Sequence, residues 1–586
     1  MNYELNKNQT DTNKNSATSA AAKLWPLISK EKGTLTMAII AMVLNSLLNL
    51  GAPFLTAHVI DTYIPARDYQ GLWLYSGIIL TMYLVGLGTS YAQTRLMGGV
   101  GQRVLYDLRN LVFTKLQSLP VAFFNQNKAG DLISRLNNDT DKLNQFFSQS
   151  LMQFIGSIFM MTGAGIFLIT LQPKLGLATL LPAIILLFVT RFLSGWVKRQ
   201  NGKSMQALGG LSAEIQESLQ NFKVIIAFNR RDYFNEKFSE ANTINYQAAI
   251  KAGNANTIFM PLYGFAAHIG QLIVVAYGIY LITTGHFSIG LLISFLAYSN
   301  NFYQPLRQLA ALWSNFQVAM AGWDRITEIL ALESNLKTIP AETSTSNESL
   351  LEFKEVTFGY PNGHEILHKI NFTLQPGKTY ALVGPTGGGK TTTASLMARL
   401  YDPTSGLVFL NGKDLRTYSE TERTKKIGFI LQEPFLFSGS IQDNIVYGSE
   451  EYDSISTEKM KETLQTLGLD ELLDRFDSGL ETKIKGSGDG LSLGQKQLIA
   501  FIRAVLRKPD LLILDEATAN IDTITEQLLE NILTHLPSTT TRVIIAHRLN
   551  TIAAADEIFF INDGSVIPAG SMEHAVEMLK DNKRAS

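Results

Sequence analysis

The sequence predicts a multi-domain chain: an all-α bundle of six membrane-crossing helices with long cytoplasmic helical extensions, followed by an α/β domain built round a phosphate-binding loop. Three observations support this. The first half repeats windows of membrane-spanning length that hold no Asp, Glu, Lys or Arg. Composition and periodicity change at Leu350. Residues 380–400 then read as apolar strand, glycine-rich loop and helix, in that order.

Composition agrees. The 586 residues exceed a soft limit of about 150 per domain. The charged fraction is 17%, against about 25% in soluble proteins, with 46% hydrophobic residues and a mean hydropathy of +0.08. A net charge of −1 and a pI near 6.7 lack the basic excess of a nucleic-acid binder, so no nucleic acid is expected as partner. The absence of cysteine excludes disulfides, thiolate zinc sites and cysteine nucleophiles.

Residues 1–22 are rich in Asn, Thr, Lys and Ser, show no apolar period, and are expected to form a disordered tail. Residues 23–335 are assigned to the transmembrane domain. Its first stretch, 23–33, sets Leu24, Trp25, Leu27 and Ile28 beside Lys30 and Lys32, as a short elbow helix on a membrane surface would. The uncharged windows follow at 34–60, 71–94, 146–173, 175–190 and 252–306, the last long enough for two spans broken near 283–286. Lys and Arg concentrate at 95–142 and 191–251, after the second and fourth spans, and are sparse in the other connections. The positive-inside rule therefore places these connections and the N-terminus in the cytoplasm.

Both basic connections are helical in pattern. Val104, Leu105, Leu108, Leu111, Val112, Leu116 and Leu119 recur at three and four residues, which extends the second helix well past the bilayer. Reversals are expected over 123–131 and over 209–221, and such turns suit docking of a cytoplasmic domain. Within the spans, His58, His268, Tyr298, Asn300, Asn301 and Tyr303 fit either a substrate path or helix packing. Residues 336–350 are a linker, and 351–586 form the second domain.

The chemistry of that domain starts at Gly384, Pro385, Thr386, Gly387, Gly388, Gly389, Lys390 and Thr391. Such a loop turns backbone N–H groups toward phosphate oxygens at the positive end of a helix. The Lys390 ammonium then reaches the β/γ-phosphates and the Thr391 hydroxyl ligates Mg²⁺. The apolar run 511–514 ends in Asp515, placed to hold the Mg²⁺ shell, and Glu516, placed to orient or deprotonate water. Ser492 opens a helical run and makes a second anion site with nearby N–H groups. Gln432 follows one strand and His547 another, both at the same sheet edge.

With these residues together, 351–570 resemble the nucleotide-binding domain of an ABC transporter. The run Leu491, Ser492, Leu493, Gly494, Gln495 resembles that family's signature, and the six-helix half, with Phe123-Phe124 to Arg135, resembles the type IV exporter fold. The resemblance implies that Tyr360 stacks on adenine, that nucleotide contacts extend to Thr392, and that Ser492, Gly494 and Gln495 contact ATP. It also implies that Gln432 joins Thr391 and Asp515 at the metal, that 519–522 form the D-loop, and that Glu516 and His547 are catalytic. The implied cofactors are ATP and Mg²⁺. The implied protein is a half-transporter, a multi-pass protein of the bacterial inner membrane with its ATPase domain in the cytoplasm. It exports a hydrophobic or amphipathic drug, lipid or peptide by alternating access as a homodimer or heterodimer. An importer and an ATP-gated channel or sensor are the alternatives. Two departures are notable: Leu493 stands where the family often has Gly, and 485–488 lack the glutamate common before the signature in homodimeric exporters.

Overall fold

The computed structural model describes residues 3–5, 29–340, 349–361, 363–467, 469, 475–486, 490–515, 523–545 and 552–581. The chain divides into two compact units, one of residues 8–116 and 130–331, the other of residues 1–7, 117–129 and 332–586.

The first unit is helical. Its helices are α1 (Lys32–His58), α2 (Tyr69–Gln117, whose last residue falls in the other unit), α4 (Leu151–Leu171), α5 (Pro173–Gln220), α6 (Phe222–Ala227), α7 (Arg231–Thr257), α8 (Phe259–Thr283) and α9 (Ile289–Leu330). The short α3 (Val121–Gln126) belongs to the second unit. Among the described residues five helical stretches are long and apolar enough to cross a membrane: Ser29–Ala66, Tyr69–Gln117, Ala129–Leu171, Pro173–Gln220 and Arg231–Thr283. The sixth long helix, α9, falls short because Ser299, Asn300, Asn301 and Gln304 dilute its apolar run.

Packing of this unit explains the tyrosines that flank those residues and the place of Asn300 among them. Leu50, Ala164, Leu168, Val274 and Phe295 form a buried cluster with Tyr298. The Tyr298 ring stacks on Phe167 at 5.0 Å and its hydroxyl donates to the Leu50 carbonyl at 2.7 Å. Tyr303 likewise donates to the Thr179 carbonyl at 2.7 Å. In an apolar interior a phenol needs such an acceptor, so both tyrosines are helix-packing residues. Gln271 donates to Asn300 at 2.9 Å and lies 3.4 Å from His268. Trp73, Leu87, Phe188 and Phe192 are exposed, as lipid-facing side chains are.

The second connection reverses at Asn221, the far end of the expected 209–221 stretch, where α6 begins; α5 continues through Gly209 and Gly210. A Gly pair costs helix stability without compelling a break, and neighbouring residues carry the helix through. One expectation needs correction: residues 3–5, assigned to a disordered tail, are ordered, with Tyr3 and Leu5 buried. Of the expected elbow helix, 23–28 lie outside the described residues and Ser29–Glu31 form a 3₁₀ turn.

At the cytoplasmic end of this unit Arg135, 0% exposed, binds Asp131 (2.9 Å), Glu328 (2.6 Å) and the Arg325 carbonyl (2.7 Å). Arg325 in turn binds Asp131 and Asp139. The network ties the chain after the first reversal to the end of α9.

The second unit carries the sheets. β1 (Leu351–Gly359), β2 (Glu365–Leu374) and β4 (Ser405–Leu410) are antiparallel. The main sheet is ordered β9-β8-β3-β7-β6-β5, from β3 (Thr379–Val383), β5 (Ile427–Ile430), β6 (Leu511–Asp515), β7 (Thr541–Ile545), β8 (Glu557–Asn562) and β9 (Ser565–Pro568). All its pairings are parallel except β8 with β9. Every residue of β3 and β6 is buried, which is why both read as continuous apolar runs. α10 (Lys390–Met397) and α11 (Leu493–Leu506) follow the glycine loop and the signature-like run.

Candidate nucleotide site

Parallel register determines where the chemistry gathers. Ile545 of β7 pairs with both Leu382 of β3 and Asp515 of β6, and Ile430 of β5 pairs with Leu514. The carboxyl ends of four strands therefore line up on one edge, the edge where open α/β sheets bind ligands. Gly384 leaves β3 there, Asp515 ends β6, and Gln432, exposed, lies two residues past β5. Glu516 and His547, with 519–522, lie outside the described residues, but the strands that lead into the first two end at this edge.

The loop takes its shape from glycine. Gly384 has φ +149° and a Cβ there would collide with the Ile561 carbonyl; Gly389, φ +110°, would set a Cβ 2.8 Å from Leu367. The chain then enters α10, whose first turn directs its N–H groups back at the loop. Lys390 is 6% exposed and its ammonium donates to the carbonyls of Gly384 (2.9 Å) and Pro385 (3.0 Å). The Thr391 hydroxyl donates to Asp515 at 3.4 Å. A hydroxyl and a carboxylate in contact are hard oxygen donors of the kind Mg²⁺ takes, completed by phosphate and water. The chain thus brings a buried cation, the N–H groups of a helix start and a magnesium-competent oxygen pair to one sheet edge.

Tyr360 follows β1. Its hydroxyl lies 3.3 Å from that of Thr392, and its ring meets Phe358 at 5.1 Å and Tyr401 at 5.2 Å, both edge-on. Tyr401, which the sequence reading missed, is buried and accepts a 2.8 Å hydrogen bond from Asn125 near the end of α3. Burial raises the Tyr401 phenol above its ordinary pKa, so it stays neutral. The only sequence signal for this pair is an aromatic just past a helix end and an amide inside a turn.

The signature-like run makes mainly local contacts. Ser492 caps α11: its hydroxyl accepts from Gln495 N–H (3.2 Å) and its own N–H donates to Gln495 Oε1 (2.9 Å). Gln495 Nε2 donates to the Arg475 carbonyl at 2.8 Å, so its amide supports the cap at both ends. Gly494 sits against Thr525, where a Cβ would lie 3.1 Å away.

The sheet edge, the glycine loop and the fused helical bundle define an ATP-binding membrane transport protein. The chain belongs to the ABC transporter family. The family model for the ABC transporter transmembrane region matches residues 35–306 and the ABC transporter model matches residues 367–519. An uncharacterized ABC transporter ATP-binding protein of Bacillus subtilis is 33% identical over 569 residues, 94% of this chain and 91% of the relative. A fatty acid ABC transporter ATP-binding/permease protein of Mycobacterium tuberculosis is 32% identical over 504 residues, 86% of this chain and 79% of the relative. The fold matches the structure of a bacterial Atm1-family ABC exporter with ATP bound, with a TM-score of 0.79 at 24% identity over 95% of this chain and 99% of that one. The protein is a multi-pass membrane half-transporter that couples ATP hydrolysis to transport.

Proposed function

We propose that the chain exports a hydrophobic or amphipathic molecule, with an acyl-bearing lipid or fatty acid as the favoured class, across a bacterial inner membrane as one half of a dimer. The observation that carries this is Lys390, Thr391 and Asp515 at one sheet edge in a chain that also holds a wide apolar cavity among its helices. That cavity, of about 580 Å³, is lined by Phe154, Met161, Leu180, Tyr263, Phe302 and Trp313 among others. It falls within the size of small-molecule pockets and carries almost no polar group to select a hydrophilic ligand. The fatty acid transporter above, and an ATP-dependent lipid A-core flippase of Syntrophus aciditrophicus that is 28% identical over 540 residues, point the same way.

In this reading Tyr360 stacks on adenine and the N–H groups of 384–391, with Thr392, hold the phosphates. Lys390 neutralises the β/γ-phosphates. Thr391, Asp515 and Gln432 hold Mg²⁺, which supplies charge neutralisation at the transferring phosphoryl group. Glu516 takes the proton of the attacking water and His547 contacts the γ-phosphate. Ser492, Gly494 and Gln495 serve ATP held by the other half, Ser492 and Gly494 by direct contact and Gln495 by keeping the cap in shape. Two unpartnered apolar features favour a second chain. One is a groove in the ATPase unit lined by Leu431, Phe435, Phe437 and Tyr447, all exposed; the other is α6 with its neighbour, where Phe222, Val224, Ile226 and Phe228 are exposed. Docking of α6 from one half into the groove of the other covers both.

The test is transport into inside-out proteoliposomes with a fluorescent fatty acid as probe. ATP-dependent accumulation by the wild type and none by Glu516→Gln is expected; ATP-dependent loss from preloaded vesicles would mark an importer.

A further inference from the structure

Residues 3–5 are ordered within a stretch whose composition gives no reason for order. Tyr3 is 1% exposed and Leu5 6% exposed. Their backbone is held by the end of α3: Tyr3 N–H donates to Gln126 Oε1 (2.7 Å), Leu5 N–H donates to Asn127 Oδ1 (3.0 Å), and Asn127 Nδ2 donates to the Tyr3 carbonyl (2.9 Å). The Tyr3 ring meets Phe123 edge-on at 6.4 Å. Its hydroxyl accepts from Asn335 N–H (2.8 Å) and has Asn335 Oδ1 (2.9 Å) and the Glu333 carbonyl (3.1 Å) as acceptors for its one proton. One side chain thus joins α3 to the segment that follows α9.

The need for such a joint is evident in α3 itself. It has six residues and no side-chain N-cap, too short to persist without tertiary support. Burial raises the Tyr3 phenol pKa, so the hydroxyl keeps its donor proton. From the same helix Asn125 reaches Tyr401, and Tyr401 lies against Tyr360.

We propose that residues 3–5 are an intrachain latch that fixes the docking helix α3 to residues 333–335 and, through Asn125 and Tyr401, holds Tyr360 in its nucleotide-stacking position. The second half of this statement rests on the reading of Tyr360 as the adenine contact; the first does not. Tyr3 is a positioning residue, since it acts only through α3.

The test uses full-length protein in lipid nanodiscs and needs no transported substrate. Amide hydrogen exchange over 121–127 should accelerate roughly tenfold in Tyr3→Ala, which loses ring and hydroxyl contacts, while exchange in β3 and β6 stays as in the wild type. Tyr3→Phe, which keeps the ring, should show a smaller acceleration, roughly threefold. Should Tyr3→Ala fold poorly, the Phe variant carries the comparison alone. KM for ATP should rise roughly threefold in Tyr3→Ala with kcat within about twofold of the wild type. Unchanged exchange at 121–127 would overturn the latch whatever the ATPase data show. Faster exchange with an unchanged KM would overturn the link to Tyr360.

Discussion

Lys390 is the residue on which nucleotide binding turns. Its ammonium already spans the loop, 2.9 Å from the Gly384 carbonyl, and a charge-assisted bond to phosphate contributes about 1.5–3 kcal/mol. Lys390→Ala is therefore expected to weaken ATP binding about 10- to 100-fold, as read by equilibrium binding of a fluorescent ATP analogue. Affinity within twofold of the wild type would remove Lys390 from the site. Gly384→Ala acts differently: the added Cβ meets the Ile561 carbonyl, so the loop itself must distort, at a cost of about 1–3 kcal/mol. Its thermal midpoint should fall even without nucleotide. Most of these residues were legible in the sequence because a phosphate loop is local, eight consecutive positions between a strand and a helix. Tyr401 and Asn125 were not, because their contact joins segments 276 positions apart and neither side chain carries chemistry by itself.

Among elements, the contact between the start of the third span and the end of α9 stands on Arg135. The guanidinium is fully buried and binds two carboxylates and a carbonyl, so its removal takes an ion-pair partner from both Glu328 and Asp131, the latter still paired with Arg325. Arg135→Ala is expected to destabilise the helical unit by about 3 kcal/mol, the lower end for a broken buried pair because both acids keep some solvent contact. Arg135→Lys should recover only part of this, since an ammonium cannot bind both acids with the planar fork. Thermal unfolding in detergent reads both; a wild-type midpoint in Arg135→Lys would mean that charge alone matters. The helices were legible from uncharged windows, and their long extensions from the three-and-four spacing of Val104, Leu108 and Val112. Two features escaped. The start of the reversal expected over 209–221 was drawn at Gly209-Gly210 because glycine is a weak helix former, yet α5 passes straight through them and turns at Asn221. Residues 3–5 looked featureless because what orders Tyr3 is α3 and residues 333–335, more than a hundred positions away.

Across the whole molecule, the apolar groove of the ATPase unit, the exposed face of α6, and a signature-like cap whose Ser492, among the described residues, bonds locally to Gln495 all point to a second half-transporter. Leu493 lies beside that cap at 37% exposure. Neither sequence nor fold names the partner, since a dimer interface reads the same from one side whether the other copy is identical or related. The most direct test of the central claim is the mass of the Glu516→Gln variant, isolated in nanodiscs from its native host with Mg²⁺ and ATP. Two half-transporters with ATP retained, and ATPase activity lost, is the expected result. A single chain that retains ATP, or hydrolysis at the wild-type rate, would contradict it.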